Sequence, residues 1–363
     1  MRRVSALGPL SILVLAFWAS TLSASTIAYA VGTCRPGLRS FRTISAALAA
    51  VPTANVVEVC PGTYRDQLQI THPITLEGVS NGTSARAIIA PPVAGLAPNA
   101  MDDFGEALAA QLWVNNASGP VNINNLTLDG SGNKVSQGRT FVVGIFYQNS
   151  SGTMNRVATR NQTGNGFGVG IWAEGGSSNP SATIENSSVH DYDDSGIQVE
   201  TNSLTPELTA VIKGTDVTTS KPNSSTGIDI GGGTAVIVTD NLVVNPGFDG
   251  ISTVPLSTGS ISANTVANGL FAGIVAESDG VSVTSNKIFG SARGIIFFAS
   301  VPAIQSNTIT NSKIGIDFAC NADPNVHSNI IMDAGTALNL VPSAITTSNT
   351  YFNVGTIRTG GCS

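Results

Sequence analysis

Short Val and Ile runs broken by Gly, Asn, Ser and Thr fill most of this chain, and between Gly227 and Asn349 they settle into one repeated phrase. Asn241, Asn264, Asn286, Asn307, Asn329 and Asn349 recur at intervals of 23, 22, 21, 22 and 20 residues. Interleaved with them, Gly227-Ile228, Gly250-Ile251, Gly273-Ile274, Gly294-Ile295 and Gly315-Ile316 recur at 23, 23, 21 and 21. Two registers kept in step mark a solenoid, in which each unit buries its apolar face only by stacking on its neighbours. Leucine is not the recurring residue and no unit holds a helix-length apolar period, so the coils consist of strands and turns. The pattern predicts an all-β parallel β-helix with rungs of about 22 residues. The recurring asparagine is expected at a sharp turn, bonding the turn backbone and its counterpart in the next rung, in a position that tolerates left-handed backbone angles.

Upstream, Gly144-Ile145, Gly170-Ile171 and Gly196-Ile197 continue the register at longer spacings of 26 residues. The extra residues fall in loops such as 161–167, 174–180, 201–207 and 219–225, which points to a groove on the middle rungs. Ser40 to Val51 carries Phe41, Ile44, Ala47, Leu48 and Val51 at helical spacing and reads as a helix that caps the open first rung. Residues 91–112 depart from the repeat, with a Pro/Gly-rich run followed by a helix expected over Asp102 to Leu112. The expected organisation is a signal peptide at 1–30, a cap at 31–55, a β-helix at 56–352 with the insertion at 91–112, and a tail at 353–363. Arg2 and Arg3, the apolar run Leu10 to Trp18 and the Ala28-Tyr29-Ala30 site carry the signal-peptide reading, which implies secretion and a mature chain with no membrane span.

The stretch VEVCPGTYRDQLQITHPITLEG, Val57 to Gly78, following a short helix, resembles the start of right-handed β-helix proteins of the pectin-lyase-like superfamily, and the later phrases are similar to that group's generic repeats. The resemblance implies the right-handed fold from about Phe41 to Phe352. It leaves open which activity, since that superfamily holds lyases, hydrolases, esterases, epimerases and proteins without demonstrated chemistry.

Charge narrows the partners. With 17 Lys and Arg against 23 Asp and Glu, net -6, the chain offers no basic stripe for nucleic acid. Its four cysteines allow three pairings, of which sequence proximity favours Cys34–Cys60 and Cys320–Cys362.

Side chains alternate between the faces of a strand. With the Gly-Ile isoleucines inward, Phe146, Trp172, Gln198 and Asp229 share one outward column, and Gln148, Glu174 and Glu200 the next. Such a stripe suits an extended sugar chain, with Phe146 and Trp172 under pyranose rings and Gln198, Glu174, Glu200 and Asp229 as hydrogen-bonding or acid–base groups. A second candidate is His190-Asp191-Tyr192-Asp193-Asp194, the densest ionisable cluster, with His190, Asp191, Asp193 and Asp194 as catalytic candidates. The D-D-x-G of Asp193 and Asp194 resembles the aspartate pair of β-helix polygalacturonases, although the accompanying N-x-D, G-H-G and R-x-K phrases are absent. Two readings follow. One is a secreted lyase or hydrolase of an acidic polysaccharide, with calcium as cofactor if it is a lyase; the other is a noncatalytic extracellular β-helix, glycan-binding or structural. A monomer is the expected state.

Overall fold

In a computed structural model of the protein, the described residues are 27–51, 55–80, 86–135, 138–164, 166–176, 178–202, 207–220, 226–298, 303–318, 325–341 and 348–360. Each full rung contributes three short strands. One rung runs Gly168–Glu174, Ser181–Glu185 and Ser188–Tyr192, and the next begins at Ser195–Glu200. Equivalent strands of successive rungs pair in parallel, so three ladders run the length of the molecule. Ladder 1 holds the Gly-Ile strands, ladder 2 follows it, and ladder 3 follows ladder 2 across the asparagine turn. Ladder 1 is a separate thirteen-stranded sheet, whereas ladders 2 and 3 join into one of twenty-four strands. The apolar core runs up the middle as a single column, with Ile145, Ile171, Ile197, Ile228, Ile251, Ile274, Ile295 and Ile316 in register and fully buried.

The repeated glycine has a steric cause. A Cβ on Gly250 would lie 2.2 Å from Val266 Cγ1 in ladder 3 and 2.4 Å from the Gly273 carbonyl oxygen of the next rung, and Gly196, Gly227 and Gly273 meet the same crowding. At this position ladder 1 passes too close to ladder 3 for any side chain.

The asparagine column is a continuous hydrogen-bonded ladder. The Nδ2 of Asn241, Asn264, Asn286, Asn307 and Asn329 each donates to the Oδ1 of the next at 2.9–3.0 Å, the last acceptor being Asn349. Each Nδ2 also donates to a carbonyl of the preceding rung, as Asn286 does to Ile261 at 2.9 Å, and each Oδ1 also accepts a backbone N–H. Thr215 and Ser187 extend the column toward the N-terminus. The left-handed angle falls one residue earlier than expected, on Asp240, Ala263, Ser285, Ser306 and Ser328, while the buried asparagine itself keeps a negative φ.

At the N-terminal end the helix Ile44–Ala49 buries Ile44, Ala47 and Leu48, and Thr43 caps it by accepting from the Ala46 N–H. Cys34 and Cys60 form a disulfide there. Cys320 and Cys362 lie outside the described residues, as do residues 1–26 and most of the 201–207 and 219–225 loops. Ala28–Val31, which spans the expected cleavage site, forms a strand paired with Val56–Val59.

The helix expected over 102–112 is absent. Ala107–Asn115 is instead a ladder 1 strand between Leu68–Ile70 and Phe141–Gln148, because its apolar residues fill a rung position that stacking would otherwise leave open. The true excursion ends near Glu106, and its Ala100–Met101 returns antiparallel against Ala107 and Leu108.

The buried ladder should carry far more stability than its exposed counterpart. Asn286→Ala orphans the Asn264 donors and the Ile261 carbonyl and is expected to cost about 3 kcal/mol in urea unfolding. Asn268→Gly, which loses one exposed bond to Asn245 at a left-handed φ of 60° that glycine takes without strain, should cost less than about 1 kcal/mol.

Candidate functional site

The outward columns of ladder 1 stand as the alternation predicts. Phe146, Trp172, Gln198, Asp229, Ser252 and Val275 pair in sequence across six rungs, and Gln148, Glu174 and Glu200 across three. The aromatic pair is not available to a sugar, however. Phe146 and Trp172 are 0% and 1% exposed, packed edge to face at 5.6 Å in a second small core on the outside of the sheet. Leu108, Ala110, Val143 and Val169 share that core, and Ala100 and Phe141 close over it. The 91–106 excursion therefore seals these rungs, Glu174 at 1% exposure included, and leaves Glu200 and Asp229 as half-buried carboxylates beyond them.

A third outward column escaped the alternation rule. Register passes from Ser195 to Thr226 to Asp249 and skips the glycine, so the residue before each Gly-Ile faces the same side as Asp229. Asp249 is 5% exposed, and its Oδ1 has no hydrogen-bond partner among the described residues. The missed signal was the glycine itself, which kinks the strand and carries two successive residues, Gly250 and Ile251, toward the core.

Glu174, Glu200, Asp229 and Asp249 thus occupy four successive rungs. Glu174 accepts the Asp103 N–H at 2.7 Å and Gln148 Nε2 at 3.0 Å, which ties the excursion to the sheet. Glu200 accepts from Gln198 Nε2 at 2.7 Å and lies over Gly231, where a Cβ would come within 2.3 Å of its own. Burial is the main cause of a rise in all four pKa values: Glu174 to about 8, Glu200 to about 7, Asp229 to about 6 and Asp249 to about 7. Mutual repulsion adds to it. Asp229, Asp102 and Asp194 raise Glu200, Asp194 and Glu277 raise Asp229, and Asp229 and Glu277 raise Asp249. Beside this row a depression of about 510 Å³ is lined by Asp103, Gln148, Thr201, Asn202 and Glu207.

The His190–Asp194 cluster divides between two faces. His190 stands on ladder 3, paired with Arg160 and Thr218, and faces away from the carboxyl row. Asp191 takes a left-handed angle and accepts from the Ser220 N–H and hydroxyl. Asp193 accepts the Gly164 N–H at 2.7 Å and so braces a turn. Of the cluster, Asp194 acts on the row, through its charge on Glu200 and Asp229. Among the described residues no three His, Cys, Asp or Glu side chains gather as a metal ion would need.

Residues 195–353 match the family described as right handed beta helix region. No curated protein sequence matches the chain. Among solved structures it is similar to a mutant of the periplasmic alginate epimerase AlgG, at 15% identity and TM-score 0.50, covering 87% of this chain and 83% of that one. It is also similar to the Dettilon tailspike protein gp208, at 12% identity and TM-score 0.55, covering 86% of this chain and 64% of that one. With the parallel ladders and the continuous inner column, these findings show that the chain has the right-handed parallel β-helix fold.

Proposed function

We propose that ladder 1 binds a glycan at the half-buried Glu200 and Asp229 and hydrolyses a glycosidic bond there with Glu200 as acid and Asp229 as base. The observation that carries this reading is the pair itself: two half-buried carboxyls on adjacent rungs, with pKa values of about 7 and about 6. One rung up and two residues along separates them by about 8 Å at the backbone. Carboxyls standing as far apart as their backbones would leave room for a water between the sugar and the base, as inversion requires. Glu200, protonated near neutrality, gives its proton to the glycosidic oxygen as the bond breaks. Asp229, ionised, takes a proton from the water that attacks the anomeric carbon from the opposite side.

The lining argues for a neutral glycan rather than the acidic polysaccharide of the first reading. Asp102, Asp103, Glu207 and Glu277 join the row, and a polyanion would meet carboxylates along its length. The alginate epimerase among the structural neighbours acts on a polysaccharide by its printed name, but identity of 15% bears on fold alone. The noncatalytic reading draws on one observation, the sealing of Phe146 and Trp172, which removes the expected aromatic platform. For a β-elimination reading with calcium, no cluster of three His, Cys, Asp or Glu supports it among the described residues. Secretion, implied by the signal-like start and compatible with the Cys34–Cys60 disulfide, would place the protein where polysaccharides are met.

Incubation with a panel of neutral glucans, mannans and xylans and of polyuronates, with and without calcium, should release reducing ends from a neutral member without unsaturated products. Glu200→Gln and Asp229→Asn are each expected to lower kcat by about 100-fold or more, whereas Asp193→Asn should stay within a few-fold. Processing of no member, or full activity in Glu200→Gln, would refute the assignment. The rate should rise as Asp229 ionises and fall as Glu200 loses its proton, giving an optimum between about pH 6 and 7.

The same groups set the pH dependence of stability. Each is raised in the folded state, so the native chain holds more protons than the unfolded one between the ordinary carboxylate range and about pH 8. Stability should therefore be highest at acid pH within that window and fall as pH rises through the folded values. Thermal unfolding should show a higher Tm at pH 5 than at pH 8, with a flatter profile in Glu200→Gln; a Tm that rises with pH would contradict the row.

A further inference from the structure

Cationic side chains collect on a different face. Two contiguous depressions on ladder 3, of about 570 and 690 Å³, share Arg86 and Ser188. Their floor is small, formed by Thr127, Ala158 and Ser188 on three successive rungs. Arg86 and Arg156 stand along one margin, at the turn from ladder 2, and Arg160 and His190 along the other.

Arg160 is held by Asp129, with Nε and Nη2 both bonded to Oδ2 at 2.9 and 2.8 Å. Arg86 and Arg156 form no ion pair among the described residues, and the carboxylate lining this trough is Asp216. Arg156 keeps its place at the turn despite a left-handed φ of 54°, a conformation that favours glycine or asparagine. In a chain of net charge -6 with a carboxyl row on ladder 1, two unpaired guanidiniums beside a third and a histidine make this the face on which an anion would settle.

We propose that this trough is a second glycan-binding face, for a polysaccharide bearing carboxylate or sulfate groups, and that it works independently of the carboxyl row. The register puts Arg86 and Arg156 two rungs apart, about 10 Å at the backbone. That interval suits anionic groups on alternate sugars of an extended chain lying along the solenoid axis. The small floor lets the chain approach the sheet, while the arginines on its margin meet the charges bidentately. An acidic polymer repelled by ladder 1 thereby has a place on the protein, as an anchor rather than a substrate.

The test is binding of polygalacturonate and heparin oligosaccharides to the full protein by titration calorimetry at low and physiological salt. At least one should bind, more weakly at higher salt. Arg86→Ala with Arg156→Ala should weaken it by about tenfold or more. Arg86→Lys with Arg156→Lys should recover part of the loss, and Glu200→Gln should leave the affinity unchanged. An unchanged melting temperature in the double alanine variant keeps a folding defect from imitating the result. Equal binding by the double alanine variant, or no binding of either oligosaccharide at low salt, would overturn the proposal. A duplex DNA of equal charge that bound more tightly through the same arginines would overturn it in favour of nucleic acid.

Discussion

The close approach of one rung to the next is what the molecule depends on. It requires a position with no side chain, met by glycine before each inward isoleucine, and a buried polar group that bonds both up and down the stack, met by asparagine. Gly250 shows the first demand: its neighbours leave no space for a Cβ on either the next carbonyl or Val266. Asn286 shows the second, bonding Ile261 behind it, Asn307 ahead and the Asn264 backbone through one amide. A slip of one residue would put a side chain against a backbone carbonyl and leave buried amides unpaired, so register is enforced sterically and polarly at once.

Because register is enforced, residues some 25 positions apart become neighbours about 4.8 Å apart. The carboxyl row is the chemical result. A single carboxylate on the surface of a sheet would be solvated and ordinary. Four on successive rungs, partly roofed by the 91–106 excursion and resting on an apolar sheet, cannot all ionise at neutral pH without mutual repulsion and lost hydration. Gly231 contributes by leaving room for Glu200 to lie down on the next rung.

The fold was legible in the sequence because glycine and asparagine mark the two positions that stacking constrains most. The columns of Phe146, Trp172, Gln198 and Asp229 and of Gln148, Glu174 and Glu200 followed from the same spacing. What escaped is whatever strand periodicity does not encode. Alternation tells which face a side chain takes, not what covers it, so the burial of Phe146 and Trp172 under Ala100 and Phe141 was invisible. The kink at each glycine hid Asp249. His190 and Asp194 read as one cluster, but His190 stands on ladder 3 and Asp194 in the bend that leads from it to ladder 1. The run ALAAQL fits a helix by composition, and only the vacant rung between Leu68–Ile70 and Phe141–Gln148 makes it a strand.

The most direct test is a carboxyl-resolved NMR titration of the Asp and Glu side chains in the intact protein. Glu200 should titrate near pH 7 and Asp229 near pH 6, with the Glu200 midpoint falling in Asp229→Asn as one neighbouring charge disappears. Midpoints for both near pH 4, where isolated carboxylates titrate, and indifferent to each other's removal, would mean that these side chains do not share a row.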